Sequence, residues 1–135
     1  MTRWQPVDIP VEYSYPAISQ AVVVEPSVRQ LWISGQVGWD ENGELVSDDA
    51  VDQAVAAFEN IGRILRAAGG KWEDVVVMRI FTTSEEAWKA VREVREQFLG
   101  QPRPASTMVV VSRLVDPRMH LEIEAMAALP SQEPA

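Results

Sequence analysis

The stretch Asp74-Val75-Val76-Val77-Met78-Arg79-Ile80-Phe81-Thr82-Thr83 decides the fold. Its β-branched and aromatic side chains favour a pleated, half-buried surface. It reads as a strand, but not as a simple alternating one. A continuous apolar run implies cover on both faces of the strand. The same signature returns in Val22-Val23-Val24 and in Val109-Val110-Val111. Period-two geometry puts Arg79 on the face of Val75, Val77 and Phe81, an unusual place for a charge.

Upstream of this strand, apolar residues recur at Val51, Ala54, Val55, Phe58, Ile61, Leu65 and Ala68, which is one face of an α-helix. Ser47, Asp48 or Asp49 can cap its start, and Gly69-Gly70 ends it. Downstream, Ser84 caps a second helix with Glu85 and Glu86 in its first turn, where the helix dipole favours them. Trp88, Val91, Val94 and Phe98 form its expected buried stripe, and Gly100 and Pro102 end it.

Further out, strands are expected at Ile18–Val24 and Gln30–Ser34, paired across the turn Glu25-Pro26-Ser27. Asn42-Gly43 marks a second turn, with a short strand possible in composition at Glu44-Leu45-Val46. Two more strands are expected near 105–113 and 119–129, separated by Asp116-Pro117. Residues 1–15 and 130–135 are proline-bearing and read as irregular ends of a single domain spanning 1–135.

The resulting order is β-β-α-β-α-β-β, an α+β domain with two helices on a sheet. Two helices cover one face of such a sheet and leave the other open. The valine triplets therefore predict that a second copy of the chain supplies the missing cover. The alternative is a monomer whose valines serve β-propensity alone. Light scattering separates the two.

Composition narrows the chemistry. The 135 residues include 12 basic and 20 acidic side chains, a net charge of −8, with no cysteine and one histidine, His120. Disulfides, thiolate nucleophiles and cysteine-based metal sites are excluded. No metal or cofactor is expected, and catalysis falls to carboxylates, arginines, hydroxyls and backbone groups. The charge disfavours a nucleic-acid partner and with it a ribonuclease reading. No apolar run is long enough to span a membrane, and the N-terminus lacks a signal-peptide core, so the cytoplasm is the expected location.

Alternation on the last strand puts Glu122, Glu124 and the preceding His120 on one face. Two readings stay open: a solvated edge, or a carboxylate lining a pocket and activating a water. Arg79 either pairs with Glu122 or Glu124 or meets a ligand carboxylate. Ser106 and Thr107 follow Arg103-Pro104-Ala105 and are either ordinary strand-end hydroxyls or a cradle for a carboxylate. Trp32 and Trp88 read as core, and Trp39 as the mouth of a pocket or an interface.

Ser19-Gln20-Ala21-Val22, Trp32-Ile33-Ser34-Gly35-Gln36, Ala57-Phe58-Glu59-Asn60-Ile61, Arg103-Pro104-Ala105-Ser106-Thr107 and Glu122-Ile123-Glu124-Ala125 occur in that order. The set resembles the Rid family, also called YjgF/YER057c/UK114, over residues 15–128. The resemblance implies a chorismate-mutase-like fold with a mixed sheet. It also implies a homotrimer with a barrel-like centre, helices outside, and small-molecule sites in the clefts between subunits. Active members hydrolyse imines and enamines to a ketoacid and ammonia without metal or cofactor. In them an arginine of a Pro-Ala-Arg-Ser motif holds the substrate carboxylate, a final-strand glutamate positions water, and a tyrosine before Ser-Gln lines the pocket. Carried over by position, the glutamate is Glu122, but the arginine falls on Ser106 and the tyrosine on Ile18; with Ser34, Phe81 and Met108 these complete the ligand-lining set that the resemblance implies. Weak or no activity on small 2-imino acids is therefore expected. A divergent hydrolase and a non-catalytic binding trimer are the two competing functions.

Overall fold

Both helices form where the periodicity puts them. In the computed structural model, which describes residues 3–7, 10 and 16–131, α1 spans Ala50–Ala67 and α2 spans Glu85–Arg95. The Asp49 side chain caps α1 by accepting from the Asp52 amide at 2.9 Å. Gly69 follows with φ +81°, a conformation glycine adopts without a Cβ penalty. Ser84 caps α2 by accepting from the Ala87 amide at 3.0 Å. On α1 the buried stripe is Ala50, Ala54, Phe58, Ile61 and Leu65, with Val51 outside it.

Among the described residues six strands accompany them: β1 (Trp4–Pro6), β2 (Val22–Val24), β3 (Arg29–Gln36), β4 (Val75–Thr82), β5 (Ala105–Val110) and β6 (Leu121–Leu129). The main sheet runs β3-β6-β4-β5. It is mixed: β4 and β5 are parallel, and β6 is antiparallel to both β3 and β4. Both helices lie on one face, where Phe58, Ile61, Leu65, Met78, Ile80, Val91, Leu121 and Ile123 form the core. The predicted α+β architecture is thus observed, as an open sheet among the described residues.

Several expectations are corrected. Part of the N-terminal stretch is a strand: β1 pairs with β2 in a separate two-stranded sheet, and the expected β2–β3 hairpin does not form. Trp4 drives this, because it is 3% exposed, packs with Val76 and Ala128, and donates its indole N–H to the Glu73 carbonyl at 2.8 Å. The remaining residues of the irregular ends, 1–2, 8–9, 11–15 and 132–135, lie outside the described set. The 44–46 segment makes only an isolated bridge, Trp39 to Leu45.

The deciding stretch also differs in detail. Its register against β6 shifts between Val75 and Val77. That bulge inserts one residue and reverses the alternation. Val75 joins the helix-side core, while Val76 packs with Trp4. Val75 therefore does not share the face of Arg79. Trp32 is not core either. It pairs with Met126 on the uncovered face and is 66% exposed.

Candidate functional site

The expected site residues separate into two groups on opposite sides of the sheet. Ser34, Arg79, Phe81, Thr107 and Glu122 belong to the uncovered face by register. Ile18, Ser106 and Met108 line a cleft on the helix side, between α2 and the outer strand β5.

On the uncovered face, Glu122 pairs with Phe81 on one side and overlies Gly35 on the other. A Cβ at Gly35 would stand 2.0 Å from Glu122 Oε2. Only glycine leaves room for the carboxylate where it sits. The β3–β6 register shifts between Ile33 and Gln36, which brings the Gly35 backbone under Glu122. Arg79 Nη1 donates to Glu124 Oε1 at 3.2 Å, with side chains 56% and 36% exposed. Of the two readings of Arg79, the internal ion pair is the one present. Thr107 is exposed beside Arg79, and Phe81 is half-buried. Water is therefore available at Glu122, and a half-buried carboxylate can hold it and take its proton.

On the helix side, Ser106 and Met108 project from β5 in register with Met78 and Ile80. Ser106 is the second residue of β5, at the strand start where the sequence puts it, and pairs with Met78. Ser19 bridges to Ala105 alongside, and its hydroxyl donates to the Arg103 carbonyl. This places Ile18 at the mouth of the cleft. Trp88, Arg92 and Arg95 of α2 form the opposite wall. The Arg92 guanidinium stacks over the Trp88 ring, 5.0 Å from its centroid. Arg95 is buried, its side chain 6% exposed. The cleft is about 320 Å³, at the lower end of small-molecule sites.

Sequence reasoning missed these arginines, although two signals were present. Arg92 follows Trp88 by four residues, and Arg95 follows Val91 by four, so both spacings bring side chains together on a helix. Gln53 was missed as well. It is buried in α1, donates to the carbonyls of Ser47 and Arg118 at 2.9 and 3.0 Å, and accepts the His120 amide at 2.9 Å. His120 precedes β6, so strand alternation does not govern it. Its ring Nε2 lies 2.7 Å from the Asp48 carbonyl at the start of α1. It is a structural tie there and not a neighbour in the Glu122 row.

Among the described residues, hydrogen bonds from Arg118 hold the partly exposed Asp116 carboxyl down at about 2, and the same pair raises Arg118. Among the described residues no group of three or more acidic or histidine side chains is placed to hold a metal ion. Nor is any described helix long and apolar enough to cross a membrane.

A mixed sheet carrying two helices on one side and a glutamate row on the other defines an α+β class of domain. Comparison with known proteins narrows the class. The model of the family described as endoribonuclease L-PSP matches residues 13–129. A 2-iminobutanoate/2-iminopropanoate deaminase of Homo sapiens is 36% identical over 111 residues, covering 81% of this chain and 77% of the relative. The crystal structure of the Rid family protein YyfB from Yersinia pestis superimposes with a TM-score of 0.84 at 31% identity, covering 94% of this chain and 99% of that one. RidA from an Antarctic Psychrobacter superimposes at 0.70 with 34% identity, over 92% and 93% of the two chains. The chain belongs to the Rid (YjgF/YER057c/UK114) family, as the motif order in its sequence anticipates.

Proposed function

We propose that this chain is a cytoplasmic Rid-family hydrolase that assembles as a homotrimer and binds a small metabolite in its intersubunit clefts. The uncovered sheet face is the assembly surface. It presents Trp32 and half-buried Val77, Met126 and Phe81, which a neighbouring copy removes from water. Glu122 acts on water at an imine or enamine carbon. The water oxygen adds to that carbon as Glu122 takes a proton. That proton passes to the nitrogen to give a carbinolamine, and the hydroxyl's proton follows it by way of Glu122 as the carbon–nitrogen bond breaks, giving a ketone and ammonia. The observation that carries this reading is Glu122 itself, held over Gly35 on a wet face with no ion-pair partner among the described contacts.

Ser106 cannot supply the bidentate charge that an arginine gives a substrate carboxylate. Losing such a pair costs on the order of 2–5 kcal/mol, or roughly 30- to several-thousand-fold. Ammonia release from 2-iminopropanoate and 2-iminobutanoate, generated in situ, is therefore expected to fall that far below that of the human relative. Equal rates would overturn the expectation. Any turnover found should disappear in Glu122→Ala, and unchanged turnover would remove Glu122 from the chemistry.

A second reading, a non-catalytic binding trimer, is favoured by one observation. Both positions that depart from the family pattern, Ile18 and Ser106, line a single cleft that Glu122 does not line. Thermal stabilisation by metabolites without turnover supports it.

A further inference from the structure

We propose that the cavity beside the turn joining β2 to β3 binds a free, polar α-amino acid as its zwitterion. Arg3 takes the carboxylate, Glu25 takes the ammonium, and the Ser27 hydroxyl adds a hydrogen bond. The site is separate from the Glu122 chemistry proposed above. Ser131, which lines it, lies past the end of β6. From Glu122 to Leu129 that strand advances roughly 24 Å, so this end of the sheet is remote from the Glu122 carboxylate.

Three observations converge. First, the cavity holds about 600 Å³, within the range of small-molecule sites. Its wall is largely polar, with Arg3, Gln5, Glu25, Ser27 and Ser131 lining it. Second, the two charges on this wall lie side by side and are not spent on each other. The Glu25 amide donates to the Arg3 carbonyl at 2.9 Å, next to the Trp4–Val24 pair, so the two residues oppose one another across β1 and β2. Opposite charges in such positions ordinarily attract and pair. Here neither side chain has a hydrogen bond or ion pair among the described residues, and Arg3 Nε is buried without an acceptor. Packing, not pairing, holds the guanidinium. An inorganic anion would suit Arg3 and be repelled by Glu25, and a simple amine would meet the reverse; a zwitterion satisfies both.

Third, Ser27 is held at φ +67°, the only non-glycine residue with positive φ among those described. It follows Pro26 in the turn, at the position where glycine costs least. A serine there keeps a hydroxyl on the cavity wall at a conformational cost, as strained residues at ligand sites do. Gln5 and Ser131 add donors and acceptors beyond the charged pair, which suits a ligand whose own side chain is polar.

Isothermal titration of the full chain with L-glutamine, N-acetyl-L-glutamine and L-glutaminamide tests the proposal. The second lacks the ammonium and the third the carboxylate. L-Glutamine should bind at least about tenfold more tightly than either. Arg3→Gln and Glu25→Gln should each weaken L-glutamine by about tenfold or more. Glu25 is exposed, so its variant keeps the fold. Ser27→Gly suits the turn and should weaken L-glutamine severalfold without lowering the thermal midpoint. Glu122→Ala should leave L-glutamine binding unchanged. Absence of L-glutamine binding, equal affinity for either derivative, or full affinity in any of the first three variants would each overturn the proposal. Loss of binding in Glu122→Ala would also overturn it, by putting the ligand at the other site. L-Glutamine binding with no imine turnover would remove the hydrolase reading and keep this one. Turnover dependent on Glu122 without L-glutamine binding would do the reverse.

Discussion

On β6, Leu121, Ile123 and Ala125 face α1 and α2 and are buried, while Glu122, Glu124 and Met126 face the other way and are partly wet. One strand, one alternation, and two surroundings result. The helix face is closed by side chains of its own chain: Phe58 stacks on Phe98 with centroids 5.2 Å apart, and Trp72 packs against both. The opposite face carries apolar groups in Trp32, Val77, Phe81 and Met126; among the described residues the Trp4 cluster covers Val77 and Met126 only in part, and Trp32 is left largely exposed. The contrast teaches that the fold is self-sufficient on one side and unfinished on the other. Stability belongs to the first face; the Glu122 row, and the assembly proposed above, belong to the second.

The largest effect should come from emptying the helix face. Phe58→Ala removes a ring that is wholly buried and stacked, and should cost roughly 3–5 kcal/mol. Urea unfolding checks this. A loss below about 1 kcal/mol, the range of a surface change, would break the claim that this face carries the stability. Trp32→Asp tests the other face. It should reduce the light-scattering mass from three chains to one at micromolar concentration, while changing the stability of the isolated protomer by only about 0.5 kcal/mol. A trimer that survives the substitution would move the assembly surface elsewhere.

Smaller effects sharpen the comparison. Arg79→Met breaks the pair with Glu124, but both side chains are over a third exposed, so the protomer should lose less than about 1 kcal/mol. A larger loss in the assembled protein than in the protomer would show that the pair becomes buried between copies. The smallest effect lies off both faces. Asp116 is held at about 2 by Arg118, below its ordinary 3.8. A carboxyl depressed in the folded state stabilises it above the unfolded pKa, and that contribution fades as pH falls from 3.8 toward 2. Both groups are at the surface, so the change in melting temperature between native protein and Asp116→Asn over that window should be slight.

Much of this was legible in the chain. The α1 stripe, the Asp49 and Ser84 caps and the Gly69 stop are local, and a sequence displays local physics directly. Glu122 was legible because polar residues at alternate positions of an apolar strand are conspicuous. Three features were not. The bulge at Val75–Val77 arises from how β4 meets β6, and three consecutive valines carry no mark of where alternation reverses. The burial of Trp4 depends on Val76 and Ala128, more than seventy and one hundred and twenty positions away in sequence. Arg95 enters the cleft because β5 passes beside α2, which no spacing within the helix alone specifies.

By itself, the sequence determined the two helices with their caps, the α+β class and the family, because propensity, period and motif order act over short spans of chain. Only the tertiary structure decided which side of the sheet each candidate occupies. It put Glu122 over Gly35 on the open face and brought Ile18, Ser106 and two arginines together on the other. Side of sheet depends on register, and register is settled between strands that lie far apart in the chain.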